Sequence, residues 1–279
     1  MKWRQFFTPV ESMDTDQARQ LIADTHRKDI SIIDVRQPGE YEKGHIPGAR
    51  LMPMGELDNR LSEIEKDKPA IVYCAIGGRS RVAAQMMAGK GFSRVINMTG
   101  GFKAWNGEAA TGPQAQGLEL FSGSEPIDQV LAVAYSIEDG LRDFYLSMTR
   151  QVKNTQATSL FEKLAAIEVK HQDRIYEAYA AITAQPVPRD RFAADRVGNI
   201  IEGGMTTNEY MAMFSPDMES TADIIGLAIS IEAQALDLYF RASEKVDSTE
   251  GKKALAQLAD EERSHINALG KLMDTIQEQ

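Results

Sequence analysis

A pattern that occurs twice in the C-terminal half of the chain limits what that half can be. Ala134-Tyr-Ser-Ile-Glu138 is followed by Phe144-Tyr145 and then by Glu168-Val-Lys-His171. Ala228-Ile-Ser-Ile-Glu232 is followed by Leu238-Tyr239 and then by Glu262-Arg-Ser-His265. Each member of the second set lies 94 residues after its counterpart in the first. Each half thus offers one lone glutamate and, 30 residues later, a Glu-x-x-His. Four carboxylates and two imidazoles at duplicated spacing are what a carboxylate-bridged dimetal site in a four-helix bundle requires.

The surrounding text agrees. From Ile127 onward the apolar spacing is helical almost throughout, and it predicts long helices over about 126–151, 157–183, 218–245 and 250–276. Asn154-Thr155 and Asp247-Ser248 supply polar breaks and N-cap candidates within each pair. Positions 153 and 247 are the midpoints between the paired glutamates, so hairpins folded there set both glutamates of a pair level. Within a Glu-x-x-His the two side chains project about 60° apart around the helix and reach one cluster. Four carboxylates facing one core repel strongly unless cations neutralise them. Tyr145 and Tyr239, seven residues after the lone glutamates, lie on the same face and either donate to the ligands or pack in the core. The connection from about 184 to 217 is long enough for a crossover, with a short extra helix expected over Ala193 to Ile201.

The first 110 residues read differently, and 279 residues are enough for two domains. Short apolar runs alternate with helical patterns, which predicts an α/β domain with a largely parallel sheet. Ser31–Val35, Ala70–Cys74 and Arg94–Asn97 are expected strands. Asp14 or Thr15 caps a helix through Ala18 and Leu21-Ile22, and Ser80 to Lys90 shows helical spacing of Val82, Ala83, Met86 and Met87. Cys74 therefore ends a central strand and is followed by Ala75-Ile76-Gly77-Gly78-Arg79-Ser80 and a helix, the place where α/β sheets put ligands. Two glycines let the loop curl so that backbone N–H groups point inward. The helix N-terminus and Arg79 add positive potential. Together these lower the thiol pKa below its free value of about 8.5 and hold an anion beside it. Between the two parts, residues 111–124 are rich in Gly, Ala, Pro and Gln and are expected to be a linker. The expected domains are thus 1–110, α/β, and 125–279, an all-α bundle.

Residues 1 to about 108 resemble a single rhodanese domain. The resemblance rests on Asp34-Val-Arg36, Glu40-Tyr41, Gly44-His-Ile-Pro-Gly-Ala49, the loop Cys74 to Ser80, and Gly100-Gly-Phe-Lys-Ala-Trp105. It implies that Cys74 accepts a sulfane sulfur as a persulfide and passes it to a thiol or to cyanide. It also implies that Arg79 and the amides of Ala75, Ile76, Gly77, Gly78 and Ser80 form the anion cradle. Rhodanese-like phosphatases carry Cys-x5-Arg, whereas this loop is Cys-x4-Arg, which favours sulfur over phosphate chemistry. Ala75 stands where thiosulfate sulfurtransferases carry a basic residue, so the donor is open between thiosulfate, a polysulfide and a protein persulfide. Asp34, Arg36, Glu40 and His45 are expected to support the fold, and His26 to lie on the surface.

The second half resembles the rubrerythrin-type proteins of the ferritin-like superfamily. That resemblance implies two iron ions, with manganese as the alternative. Glu168 and Glu262 would bridge them, Glu138 and Glu232 would be terminal ligands, and His171 and His265 would complete one metal each. Two departures stand out: Ala235 occupies a position where rubrerythrins often carry a further glutamate, and a rubredoxin-type centre is missing. One cysteine in the whole chain cannot build such a centre, so an external electron donor such as a rubredoxin is needed.

The remaining features set exclusions. A net charge of −10 with no basic block argues against nucleic-acid binding. No apolar run spans a membrane and no signal-peptide pattern opens the chain, so a cytoplasmic protein with no membrane partner is expected. A homodimer is the expected assembly. The leading reading is a sulfurtransferase coupled in one chain to a di-iron centre that reduces peroxide or oxygen. One alternative makes the bundle an iron-binding or oligomerisation module without turnover, and another makes the rhodanese part a sulfide-sensing or docking module.

Overall fold

The computed structural model describes residues 8–150, 155–194, 211–212, 216–217 and 219–277. The chain divides into two compact units, Met1–Gln114 and Ala115–Gln279.

In the first unit five parallel strands form one sheet. They are β1 (Glu11–Met13), β2 (Ser31–Asp34), β3 (Arg50–Leu51), β4 (Ala70–Tyr73) and β5 (Val95–Met98), in the order β1-β5-β4-β2-β3. The three central strands are the three that the sequence predicts. β4 and β5 are buried at every position, as strands covered on both faces must be. Alternate residues feed opposite layers. Ile33 and Val72 face a core with Ala83, Ala84 and Met87, while Ile32, Ile71 and Ile96 face one with Tyr41 and Ala18. The edge strands β1 and β3 escaped the sequence analysis because they are three and two residues long and carry polar positions.

Helix α1 (Thr15–Asp24) starts at an Asp14 capping box: the Asp14 carboxylate accepts from Gln17 N at 2.8 Å, and Gln17 Oε1 accepts from Asp14 N at 3.1 Å. Short helices α2 (Pro38–Tyr41) and α3 (Leu57–Arg60) follow, then α4 (Gly78–Gly89) and α5 (Gly101–Ala104). In α4 the buried stripe is Ser80, Ala83, Ala84 and Met87, with Met86 beside it; Val82, expected on that face, is 38% exposed. Asp34 and Arg36 form a buried pair at 2.6 Å, and Arg36 also donates to Gly44 O at 2.7 Å. The His45 ring stacks on Tyr41 at 3.6 Å between centroids, while His26 is exposed, both as expected.

In the second unit four long helices form a bundle: α6 (Ile127–Thr149), α7 (Thr155–Ile182), α9 (Thr221–Lys245) and α10 (Thr249–Gln277). A short α8 (Arg189–Ala194) lies in the crossover. It begins earlier than the helix expected over 193–201, most of which, like the expected turn at 153, lies outside the described residues. α6 packs along α7, and α9 along α10. The pairs Glu138–His171 and Tyr145–Phe161 show that α6 and α7 run antiparallel. Ala235 is buried among apolar neighbours.

The stretch 111–124 carries more packing than its composition suggests. Within the first unit Gly112 N donates to Glu42 O at 2.8 Å. Within the second, Arg241 donates to Gln116 O, Lys245 to Leu118 O, and Asp247 N to Gly123 O. Phe121 is fully buried against the bundle. One aromatic and a few backbone carbonyls hold a segment that its small residues alone would leave loose.

Candidate functional site

Cys74 follows β4 directly, so its place is fixed by the central strand of the sheet. Its carbonyl accepts from Phe102 N at 2.7 Å, and the Ala75 carbonyl accepts from Lys103 N at 3.0 Å. These bonds require α5 to start against the loop backbone. A Cβ at Gly101 would lie 2.3 Å from Cys74 O, and its φ of +59° is left-handed, so only glycine fits there. Gly77 has φ of +96°, which turns its N–H onto Cys74 Sγ at 3.1 Å.

The amides of Ile76, Gly77 and Ser80 converge on the sulfur, and Ser80 Oγ lies 3.5 Å from it. Burial works against the thiolate, but the Ser80 hydroxyl and these amides outweigh it and bring the thiol pKa down. Of the expected cradle residues, Ile76, Gly77 and Ser80 present groups to Cys74. Ala75 contributes its carbonyl to the α5 contact, and a Cβ at Gly78 would meet nothing. Arg79 makes a two-pronged pair with Glu40 at 2.7 and 2.8 Å, and Glu40 first, Cys74 more weakly, hold it charged. The Arg79 hydrogen bonds hold the Glu40 carboxyl down at about 2. Glu40, expected to be purely structural, is therefore a neighbour of the cradle.

Sequence reasoning passed over Asn97. It is buried in β5, and its Oδ1 lies 2.7 Å from Ser80 Oγ. The signal was there: a lone amide inside the apolar run Val95-Ile-Asn-Met98 needs a buried partner.

In the bundle the six expected ligands come together. Glu138 on α6, Glu168 and His171 on α7, Glu232 on α9 and Glu262 on α10 are all buried, and His265 on α10 is 16% exposed at its side chain. Candidate ligand atoms of Glu138, Glu168 and His171 lie within 4.8 Å of one another, as do those of Glu168, Glu232 and His265, and those of His171, Glu262 and His265. Glu168 belongs to two of these groups, and Glu262 sits with both histidines. His171 Nδ1 lies 2.9 Å from Glu138, 3.1 Å from Glu168 and 3.5 Å from Glu262. His265 Nδ1 lies 3.2 Å from Glu262 and 3.5 Å from Glu232. The two rings stack 4.8 Å apart at 10°.

The tyrosines act crosswise. Tyr145 on α6 donates to Glu232 Oε1 on α9 at 3.1 Å, and Tyr239 on α9 donates to Glu138 on α6. Spacing on one helix could not show this, because each ring reaches the lone glutamate of the other pair rather than its own.

The electrostatics of the cluster call for a cation. Burial and the charges of Glu138 and Glu232 push the Glu168 carboxyl well above the usual range, and burial likewise opposes ionisation of Glu138 and Glu232. For those two it is outweighed, by His171 beside Glu138 and by Glu262 and His265 beside Glu232. Both oxygens of Glu168 and Oε2 of Glu232 are buried without a hydrogen bond among the described residues; the 3.1 Å approach of His171 to Glu168 is out of line for one. Each such orphan costs roughly 1–3 kcal/mol or more, and divalent cations would satisfy all three at once. An open cavity of about 320 Å³ between α7 and α10 reaches both histidines and is bordered by Lys170, Arg174 and Glu261.

Comparison with known proteins agrees with both halves. The family described as Rhodanese-like domain matches residues 14–108, and the family described as Rubrerythrin matches residues 129–218. The uncharacterized protein YqhL of Bacillus subtilis is 47% identical over 77 residues, which are 28% of this chain and 61% of YqhL. A sulfurtransferase of Allochromatium vinosum is 38% identical over 96 residues, 34% of this chain and 88% of that protein. The crystal structure of a rhodanese-like domain protein from Staphylococcus aureus matches at 30% identity and a TM-score of 0.32, covering 35% of this chain and 92% of that one. The cysteine cradle at the end of β4 and the carboxylate–histidine cluster of the bundle thus belong to one chain of the rhodanese family, a rhodanese-like domain fused to a rubrerythrin domain.

Proposed function

We infer that the protein carries sulfane sulfur on Cys74 and a pair of redox-active metal ions in the bundle. The observation that carries the first half is the convergence of three amides and the Ser80 hydroxyl on one sulfur. The thiolate attacks the outer sulfur of a sulfane donor, the S–S bond of the donor breaks, and its remaining fragment leaves with the electron pair. The persulfide anion formed on Cys74 keeps the same amide donors. An acceptor thiolate then takes the outer sulfur and returns Cys74 as thiolate, so no external oxidant or reductant is consumed. Thiosulfate, a polysulfide or a protein persulfide can each supply the sulfur; the sulfurtransferase relatives support this chemistry.

In the bundle, Glu138 with His171 and Glu232 with His265 would each hold one metal, and Glu168 and Glu262 would lie between them. Iron, or manganese, held there would supply the redox chemistry for reducing peroxide or oxygen, with an external donor such as a rubredoxin returning the electrons. The protein's own contribution is a largely buried ligand set with its carboxylates held in place. Apolar layers lie on both sides of it, Tyr145 and Tyr239 orient Glu232 and Glu138, and the cavity beside the histidines admits small molecules. We assign the assembly as a homodimer with thiol acceptors as partners, and nucleic acid as no partner on grounds of charge. Among the described residues no helix is long and apolar enough to cross a membrane.

Sulfane-sulfur labelling of wild type and Cys74→Ala tests the first half; equal labelling would sink it. Metal analysis of Glu168→Ala/Glu262→Ala tests the second, where loss of both bound ions is expected and undiminished metal would refute the ligand set.

A further inference from the structure

The cluster holds one more carboxylate than the repeat requires. Glu261 directly precedes Glu262, and the corresponding position 94 residues earlier is Ile167. Its two oxygens have different surroundings. Oε1 lies 2.6 Å from Arg174 and accepts from Gln257 Nε2 at 3.1 Å. Oε2 is buried, accepts no hydrogen bond among the described residues and lies 3.6 Å from His171 Nε2. With Oε1 held from two sides, a slight rotation of the carboxylate brings Oε2 into hydrogen-bond distance of that ring nitrogen. His171 meanwhile turns Nδ1 inward onto Glu138 and Glu168. His265 also turns Nδ1 inward, onto Glu232 and Glu262, and among the described residues no third carboxylate lies within ion-pair distance of its ring.

A histidine that ligates through one nitrogen and gives its other N–H to a carboxylate is fixed in tautomer and orientation and becomes a stronger donor. We propose that Glu261 is a positioning residue for His171 and makes the two metal sites unequal, the His171 side being the tighter. The repeat supplies two equivalent ligand sets, and a single glutamate with an isoleucine as its counterpart breaks the equivalence. The inference rests on the dimetal reading given above.

The test is calorimetric titration of the chelator-stripped full chain with Mn(II), which binds without changing oxidation state. Wild type is expected to take up two ions in steps differing at least about ten-fold in affinity. In Glu261→Gln the tighter step weakens by about 10–100-fold and the weaker step stays unchanged. The melting temperature of the stripped variant should match wild type, which separates positioning from folding. In a His265→Ala background Glu261→Gln still weakens the remaining ion, and in a His171→Ala background it does not. Superimposable titrations of wild type and Glu261→Gln, or equal weakening of both steps, would overturn the proposal and leave the dimetal site standing. Failure of wild type to bind any Mn(II) would overturn both.

Discussion

At the scale of single residues, the sulfur site is a problem of proton sharing. Ser80 Oγ has one proton and two acceptors near it, Cys74 Sγ at 3.5 Å and Asn97 Oδ1 at 2.7 Å. If the Asn97 amide turns its NH2 toward Ser80, the hydroxyl proton is released to the sulfur. The predicted consequence concerns thiolate fraction. Cys74 should be alkylated with a midpoint below the free-cysteine value of about 8.5, because its donors favour the ionised form. Ser80→Ala removes one donor, moves the midpoint to higher pH, and should cut the iodoacetamide rate at pH 7 by roughly two- to ten-fold, the worth of one hydrogen bond. A Ser80→Ala profile that overlays wild type would mean that the amides alone set the reactivity. Cys74 itself was legible in the sequence because glycines, arginine and a strand end mark it. Asn97 was not singled out, because its meaning depends on α4 laying Ser80 over β5, a contact 17 residues apart in the chain.

At the scale of elements, α2 and the start of α4 are joined by Glu40 and Arg79. The two side chains are each more than a third exposed, so solvent screening keeps the pair to about 1 kcal/mol or less. Its pH dependence has a definite sign. Glu40 is an acid whose folded pKa is lowered, to about 2, by Arg79. Its stabilisation is present above the usual carboxylate range and is lost as pH falls from about 4.3 toward 2. Thermal midpoints of wild type and Glu40→Gln should differ slightly at pH 7 and converge on acidification through that window; a gap that persists undiminished at pH 2 and below would assign the effect to packing instead. The helices show the same division between what a pattern reveals and what contacts decide. The predicted bundle helices agree with the observed ones to within a few residues because burial has a 3.6-residue period over more than six turns. β1 and β3 have no such length, and the crosswise tyrosine bonds belong to the pairing of helices rather than to any one helix.

At the scale of the whole chain, two sites with different chemistry are built from separate sets of residues. The groups named around Cys74, from Glu40 paired with Arg79 through Ser80 to Gly101, lie in Met1–Gln114, and those of the carboxylate–histidine cluster, from Glu138 to His265, lie in Ala115–Gln279. Among the described residues, the groups named around Cys74 and those of the cluster have no member in common. Mutations at sites that share no partner usually leave each other's energetics within about 0.5 kcal/mol, roughly a two-fold effect. Cys74→Ala should therefore keep the wild-type metal content and Mn(II) affinities, and Glu168→Ala/Glu262→Ala should keep the wild-type rate of sulfane-sulfur labelling at Cys74. Both are measured on the full chain, by metal analysis and by labelling with a sulfane donor followed by mass spectrometry. If electrons or sulfur pass between the sites, that traffic should appear only when both substrates are supplied, as a change in turnover with the resting properties unaltered. A Cys74→Ala chain that loses metal, or a ligand-deleted chain that labels several-fold more slowly, would show that the two units are energetically one.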